Sequence, residues 1–405
     1  MESKYFIKTC ALIATEGSSL SDDFEISGGN PNITYYESVK SPSISVSIDF
    51  IDVDGVISRE GITGGEYLDL KIKVPDFDDF EITPDKHFMM LNSVKNVKTS
   101  SNKQIATLEF ISVEAIINET ARVSRRFTGN VSQIVKELMK DKKSIQTSKN
   151  LETDESFNKY SFVGNLKRPF DTIQWLCPKA ASTDKECGFL FYENLDGYFF
   201  KSIKGLLESD SSETYEKPEA PVDTDIKITE NNLDSSNDIG MNCRMGMYAN
   251  KTIYVDIENG KLETVDYKIS DLKLAKPPKL PAGLEDAPTR LMLRILDAGA
   301  LQKGSKKEEV EKKSELGVYQ NKSYARTNLL FSQSLSISTP FNPDLRVGQM
   351  IDVVLPVKEG SDQSQTTGGG ENDISGKYLL SELKHSIANG KSNSELKLIR
   401  DVFTA

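Results

Sequence analysis

Residues 43–53, SISVSIDFIDV, place Ile44, Val46, Ile48 and Phe50 at every second position, the period of a strand buried on one face. The stretch 66–74, EYLDLKIKV, repeats the pattern, with Leu68, Leu70, Ile72 and Val74 on one side and Asp69, Lys71 and Lys73 on the other. TLEFISV (107–113) continues it, so residues 1–117 read as an antiparallel β-domain, a small barrel. The rhythm then changes. In TGNVSQIVKELMK, Val131, Ile134, Val135, Leu138 and Met139 recur at helical spacing, and Thr128 or Asn130 is placed to cap the exposed amides. A second helix is predicted from Pro169, favourable in a first turn, ending near Cys177 because Pro178 follows. GFLFYENLDGYFFKSI reads as a hairpin whose turn needs Gly197 at positive φ, so 118–205 is a mixed α/β middle domain.

Residues 206–238 are polar, acidic and proline-bearing, and read as a linker. KTIYVDIENGKLETVDYKI (251–269) restores strand alternation, which makes 206–261 a linker plus the first strands of a second barrel. Residues 262–325 form a helical or irregular insertion, with a proline-rich connector at 275–288 and a charge run at 303–315 that reads as a solvated face. SYARTNLLFSQSL (323–335) is a short helix entering a strand. Residues 326–405 return to β structure as the second barrel, interrupted by a Gly/Ser-rich loop at 356–376 that is flexible by composition.

The two β-regions match block by block. GEYLDLKI (65–72) aligns with GQMIDVVL (348–355), equating Gly65 with Gly348 and Asp69 with Asp352 and keeping the inward faces in phase. MMLNSVK (89–95) aligns with YLLSELK (378–384), and ATLEFI (106–111) with SELKLI (394–399), in the same order. Both middle blocks share a defect. Leu91 and Val94, like Leu380 and Leu383, are three positions apart, so each strand changes face where a β-bulge would put the change. The fold class is therefore mainly β with α+β: two similar antiparallel β-barrel domains joined by the middle domain and the insertion. Gly65, Asp69, Gly197, Gly348 and Asp352 are its candidate structural positions.

With 61 acidic and 50 basic residues among 405, the net charge of −11 argues against a reader of DNA or RNA sequence. No run of eighteen apolar residues occurs, so no membrane insertion is expected, and the N-terminal apolar run is too short for an export signal. Cys10, Cys177, Cys187 and Cys243 are widely spaced and expected as reduced thiols. Neither histidine has a neighbouring pattern that gives it catalytic work; His385 is expected at a strand edge or near a turn, and His87 just before the matching strand. DFIDVDG fails as a calcium loop because Phe50 and Gly61 fall where carboxylates are required. GALQKGSKK fails as a phosphate loop because its Lys and Ser are in the wrong order. Acidic pairs such as Asp78–Asp79 read as solvated surface, and no catalytic, cofactor or metal site is assigned.

The segments NLKRPFDTIQWL, GFLFYENLDGYFFKSI, ARTNLLFSQSLSISTPFNPDLRVGQMIDVVLP and SGKYLLSELKHSI…SELKLIRD together resemble the baseplate central hub proteins of T-even-type contractile-tailed bacteriophages, in the form carried by marine phages. The resemblance covers most of the chain and lies in ordered patterns. It implies a non-enzymatic homotrimer of two barrels per subunit, a ring joining a threefold central spike to a sixfold tail tube. The expected partners are the spike, tail tube or tube-initiator proteins, baseplate wedge proteins and the tape-measure protein, in a virion tail baseplate assembled in the host cytoplasm. The net charge adds the expectation of an acidic or neutral passage along which DNA slides. Two alternatives stand beside this: a tail-associated peptidoglycan hydrolase or glycan-binding tail protein, and the hub of another contractile injection system. The insertion 262–325 and the loop 356–376 depart from the family pattern, so no contact residues are carried over.

Overall fold

The structure, a computed structural model, describes residues 5–29, 31–53, 55–75, 77–100, 103–218, 227–236, 238–256, 260–272, 287–295, 313–356 and 374–401. The expected loop 356–376, the charge run at 303–315 and the connector at 275–288 lie largely outside them. The fold is mainly β. One fourteen-stranded sheet dominates, and from one edge its path runs Glu230–Ser236, Gln333–Pro340, Lys391–Arg400, Gly376–Ala388, Asn32–Ser38, Ser45–Asp52, Lys103–Ser112, Met89–Ser100, Tyr67–Lys73, Phe6–Ile13 and Phe24–Glu25. The first four of these strands come from the second half of the chain and the next four from the first half. Each quartet has its strands in the same order: first, second, fourth, third. The alternation read from the sequence is realised, with Val46, Ile48, Phe50, Leu68, Leu70 and Ile72 all buried.

Among the described residues neither half closes into a barrel. The quartets are joined edge to edge, Gly376–Ala388 pairing antiparallel with Asn32–Ser38 from Glu382↔Ser38 to Ile387↔Ile33. Period-two alternation sets which way a side chain points but carries no information on which strand takes a sheet's last edge, so closure was not legible. The halves also diverge beyond the quartets: Phe6–Ile13 runs antiparallel to Tyr67–Lys73, whereas Ser211–Glu216 runs parallel to Met350–Val354.

Two expectations for the centre of the chain need correction. The supposed linker 206–238 contributes Ser211–Glu216 and Glu230–Ser236 to the main sheet; its polar composition is that of edge strands with few buried positions, Tyr215 and Ile228 among them. The strands Ala249–Asp256 and Lys261–Lys268 do not enter the second half's sheet. They form a separate three-stranded sheet with Arg290–Ile295, backed by the helix Lys313–Leu330, where the Thr252 hydroxyl donates to Asn321 at 2.8 Å.

The helix Val131–Lys140 buries the five apolar residues its spacing selected. Asn130 is its N-cap but makes no side-chain capping bond; instead the Ser156 hydroxyl accepts the Ser132 amide at 2.9 Å. The second helix, Pro169–Leu176, carries Pro169 in its first turn and gives way at Pro178 to a 3₁₀ turn, Cys177–Lys179. The second helix packs on the hairpin Phe189–Asn194/Gly197–Ser202 through Phe170 against Phe191 and Tyr198, and Ile134 of the first helix belongs to the same apolar core.

Candidate functional site

The repeat holds at the level of individual hydrogen-bonded registers. Leu91 faces Phe110 and Val94 faces Leu108 in the first half; Leu380 faces Leu398 and Leu383 faces Leu396 in the second. The register slips at Asn92 in one and at the aligned Ser381 in the other, so the shared defect is a β-bulge in both halves. The first blocks behave alike too. Tyr67 faces Met90 as Met350 faces Leu379. The Gly65 amide donates to the Leu91 carbonyl at 3.0 Å, as that of Gly348 does to Leu380 at 2.9 Å.

Between the two quartets sits the tip of the middle-domain hairpin, and two buried carboxylates hold it there. Glu37, on the Asn32–Ser38 strand, accepts from the Tyr35 hydroxyl, from the Leu195 amide at 2.8 Å and from the Val347 amide at 3.0 Å, so one side chain ties the first half, the hairpin and the second half together. Burial pushes its carboxyl up to about 7, against the opposing pull of Arg346 and these donors. Glu193, on the hairpin, accepts from Lys149 at 2.6 Å, the Ser112 hydroxyl at 2.6 Å and the Ile44 amide at 3.0 Å. Lys149 also pairs with Glu114 at 2.9 Å. Burial pulls the Lys149 ammonium down, but Glu193 and Glu114 outweigh it and raise its pKa, so the cation is held charged inside the protein. This constellation fixes three modules in one geometry. Its carboxylates are enclosed and committed to donors, an arrangement for rigidity and not for proton transfer to a substrate.

His385 is not at a strand edge. It is 1% exposed, on the same face as Leu383 and Ile387, packed on Phe341 at 4.7 Å and stacked near Tyr35 at 5.8 Å between ring centres. Its Nδ1 shares a hydrogen bond with the Ser394 hydroxyl at 2.8 Å, and burial, aided by Arg346, pulls its pKa down to about 3. The turn that follows lies further on, at Asn389–Gly390, because the strand runs to Ala388. His87 accepts the Thr83 amide at 3.0 Å, and burial followed by Lys86 takes its pKa to about 4.

The structural glycines divide. Gly65 (φ 106°) faces open space, whereas a Cβ on Gly348 (φ 91°) would collide with the Tyr192 hydroxyl, and one on Gly197 (φ 141°) with the Asn150 carbonyl. Asp69 and Asp352 lie at equivalent sheet positions, opposite Ala11 and Lys377, and are not brought together. Asp52, part of the rejected calcium motif, accepts the Val56 and Ile57 amides at 3.0 Å each and so caps the helix Val56–Glu60. All four cysteines are free. Among the described residues no acidic, cysteine or histidine cluster fit for a metal occurs, and no helix is long and apolar enough to cross a membrane.

The sequence reading missed Glu37, Glu193 and Lys149. A signal was present for the two acids, since Glu37 shares the inward parity of Ile33 and Tyr35, and Glu193 that of Phe189 and Phe191. Lys149 precedes the short Leu151–Thr153 strand, in a stretch without periodicity to mark it.

No family model and no curated protein matches the sequence. Among solved structures, the chain is similar to the tail protein from Neisseria meningitidis (TM-score 0.54, 10% identity, covering 99% of this chain and 98% of that one). It is also similar to the 43 kDa tail protein of prophage MuSo2 from Shewanella oneidensis (TM-score 0.52, 9% identity, covering 98% and 99%). The chain therefore shares, over its whole length, a fold found in phage tail proteins.

Proposed function

We propose that this protein is the structural hub of a phage tail baseplate: a homotrimeric, non-enzymatic ring that adapts a threefold central spike to the sixfold tail tube and surrounds the passage for tape-measure protein and DNA. The observation that carries this reading is the head-to-tail tandem of quartets. Inside one chain, the outer edge of Gly376–Ala388 takes up Asn32–Ser38. The equivalent of the first edge is residues 93–100 of the strand Met89–Ser100, the equivalent of the second is Glu230–Ser236, and among the described residues neither is covered by a further strand. A free edge at each end, shaped like the two sides of a joint the molecule already makes, is a heterologous interface; if the rotation closes, it builds a ring. Three copies would place six quartets around one axis, which reconciles threefold assembly with sixfold contacts.

The polar face of both quartets favours a neutral passage. Lys95 pairs with Glu109 at 2.5 Å, Lys384 with Glu395 at 3.2 Å and Lys397 with Glu382 at 3.5 Å, so charges on this face largely cancel. In the assembled virion tail, spike, tube or tube-initiator, wedge and tape-measure proteins are the partners this reading assigns. The test is the solution mass of the full chain, alone and mixed with a candidate spike protein. A trimer, or a monomer converted to a three-to-three complex, is the expected result, with roughly 2,000 Å² or more buried per subunit pair. A chain that stays monomeric in both arms would remove the hub reading, and a cleared band on host peptidoglycan would remove its non-enzymatic part.

A further inference from the structure

The three-stranded sheet leaves one strand, Arg290–Ile295, at its edge, paired on one side with Ala249–Asp256 and on the other with no described strand. Leu291, Leu293 and Ile295 on this strand are 69%, 72% and 66% exposed. A cleft of about 650 Å³ separates the strand from the middle domain. Residues from both faces of the strand line it, Leu293 and Ile295 from one and Arg294 from the other, so the cleft follows the strand's open edge. Its far wall is aromatic: Trp175 lies 5.1 Å from Phe162 and 5.7 Å from Tyr160 between ring centres. Lys179 sits 3.7 Å and Lys167 5.0 Å from the Trp175 ring centre. In a chain of net charge −11, the lining contains Lys167, Lys179 and Arg294 and no carboxylate. Among the described residues no acid pairs with Lys167 or Arg294.

We infer that this cleft receives an extended, acidic segment of a partner protein, which adds as a fourth strand to the edge of Arg290–Ile295. An open edge supplies unpaired backbone groups at strand spacing, and the alternating side chains of an added strand would meet Leu291, Leu293 and Ile295 on one face and the cations on the other. The cationic lining selects the sign of the occupant. The site lies within one chain and does not depend on ring formation.

Trp175 is the only tryptophan, so its emission reports this cleft alone. The full chain is titrated with three capped peptides: alternating valine–glutamate, alternating valine–lysine, and the valine–glutamate peptide N-methylated at every residue. A saturable change with the first alone is the expected result. Arg294→Glu and Lys167→Glu should each weaken it about tenfold, as like charges placed at the rim do, and Leu293→Asp should weaken it too, all three with unchanged thermal unfolding. Should the methylated peptide bind as well as its parent, strand addition is wrong; should the lysine peptide do so, the charge assignment is wrong. No response to any peptide, or the same response to duplex DNA, overturns the proposal.

Discussion

The carboxylate of Glu37 accepts the backbone N–H of Val347 at 3.0 Å, a direct bond between the first half of the chain and the second. The same side chain holds Leu195 at the tip of the middle-domain hairpin. Glu37→Ala would leave two buried amides and the Tyr35 hydroxyl without an acceptor, and should cost about 3–5 kcal/mol. Glu37→Gln keeps an acceptor for Tyr35 and Leu195 but turns an N–H toward that of Val347, for about 1–3 kcal/mol. Urea unfolding measures both; losses under 1 kcal/mol for the pair would mean the junction is not held here.

Acid should loosen the protein through His385. Its folded pKa, about 3, lies below the ordinary 6.5, so the unfolded chain binds the extra proton. The stability it contributes is present above pH 6.5 and is lost as pH falls toward 3. His87, at about 4, acts in the same direction. Glu37 has the opposite sign: raised from 4.5 to about 7, it favours the folded state below 4.5 and loses that contribution as pH rises through 7. Because these terms overlap, the informative quantity is a difference. Between pH 6 and 4, the stability of the wild type relative to His385→Gln should fall by about 1.4 kcal/mol per pH unit. A pH-independent difference would show that His385 is not held neutral.

How much of this was legible in the sequence follows from what alternation encodes. The phase of Leu91 and Val94, repeated by Leu380 and Leu383, fixed the bulge, its position and the duplication, because a one-residue slip moves every later side chain to the other face. The partner of an edge is set by surfaces far apart in the chain, so the joint between His385 and Tyr35, and with it the burial of His385, left no local trace. The strand Ala249–Asp256 shows the same limit, since its pattern suits any half-buried sheet and does not say which one it joins. At the junction the signal existed in a different form. A carboxylate on the apolar parity of a strand, as at Glu37 and Glu193, is a local inconsistency of the kind that marks a specific tertiary contact.

The repeat-equivalent glycines should respond unequally. Gly65→Ala meets only the backbone cost of positive φ, on the order of 1–2 kcal/mol. Gly348→Ala carries that cost and a collision with the Tyr192 hydroxyl, so it should lose about 1–3 kcal/mol more. Tyr192→Phe removes the colliding atom and should recover part of the excess in Gly348→Ala while leaving Gly65→Ala unaffected. Thermal unfolding of the three single variants and the two doubles decides it; equal losses at the two glycines would contradict the described packing.

The proposed ring fixes a register between copies. Within the chain Lys384 faces Tyr36 across the joint. Lys95 is the repeat equivalent of Lys384. Tyr36 faces Ser45, and Ser45 faces Ile111; in the second half the matching chain runs from Ile399 through Ser334 to Ser235. Lys95 of one copy should therefore lie opposite Ser235 of the next. Lys95→Cys combined with Ser235→Cys should oxidise to covalent dimers and trimers on a non-reducing gel, while either single variant stays monomeric, because three of the four native thiols are buried. Cross-strand neighbours have their Cβ atoms about 4.5–5.5 Å apart, slightly wide for a disulfide but within reach of a small backbone shift. A shift of the pair by one register step, Lys95→Cys with Leu233→Cys across the irregularity at Asp234, points the second thiol toward a different neighbour and should cross-link less. If the double variant is trimeric by mass yet forms no covalent species, the subunits meet through surfaces other than these edges, and the tandem of quartets does not build the ring.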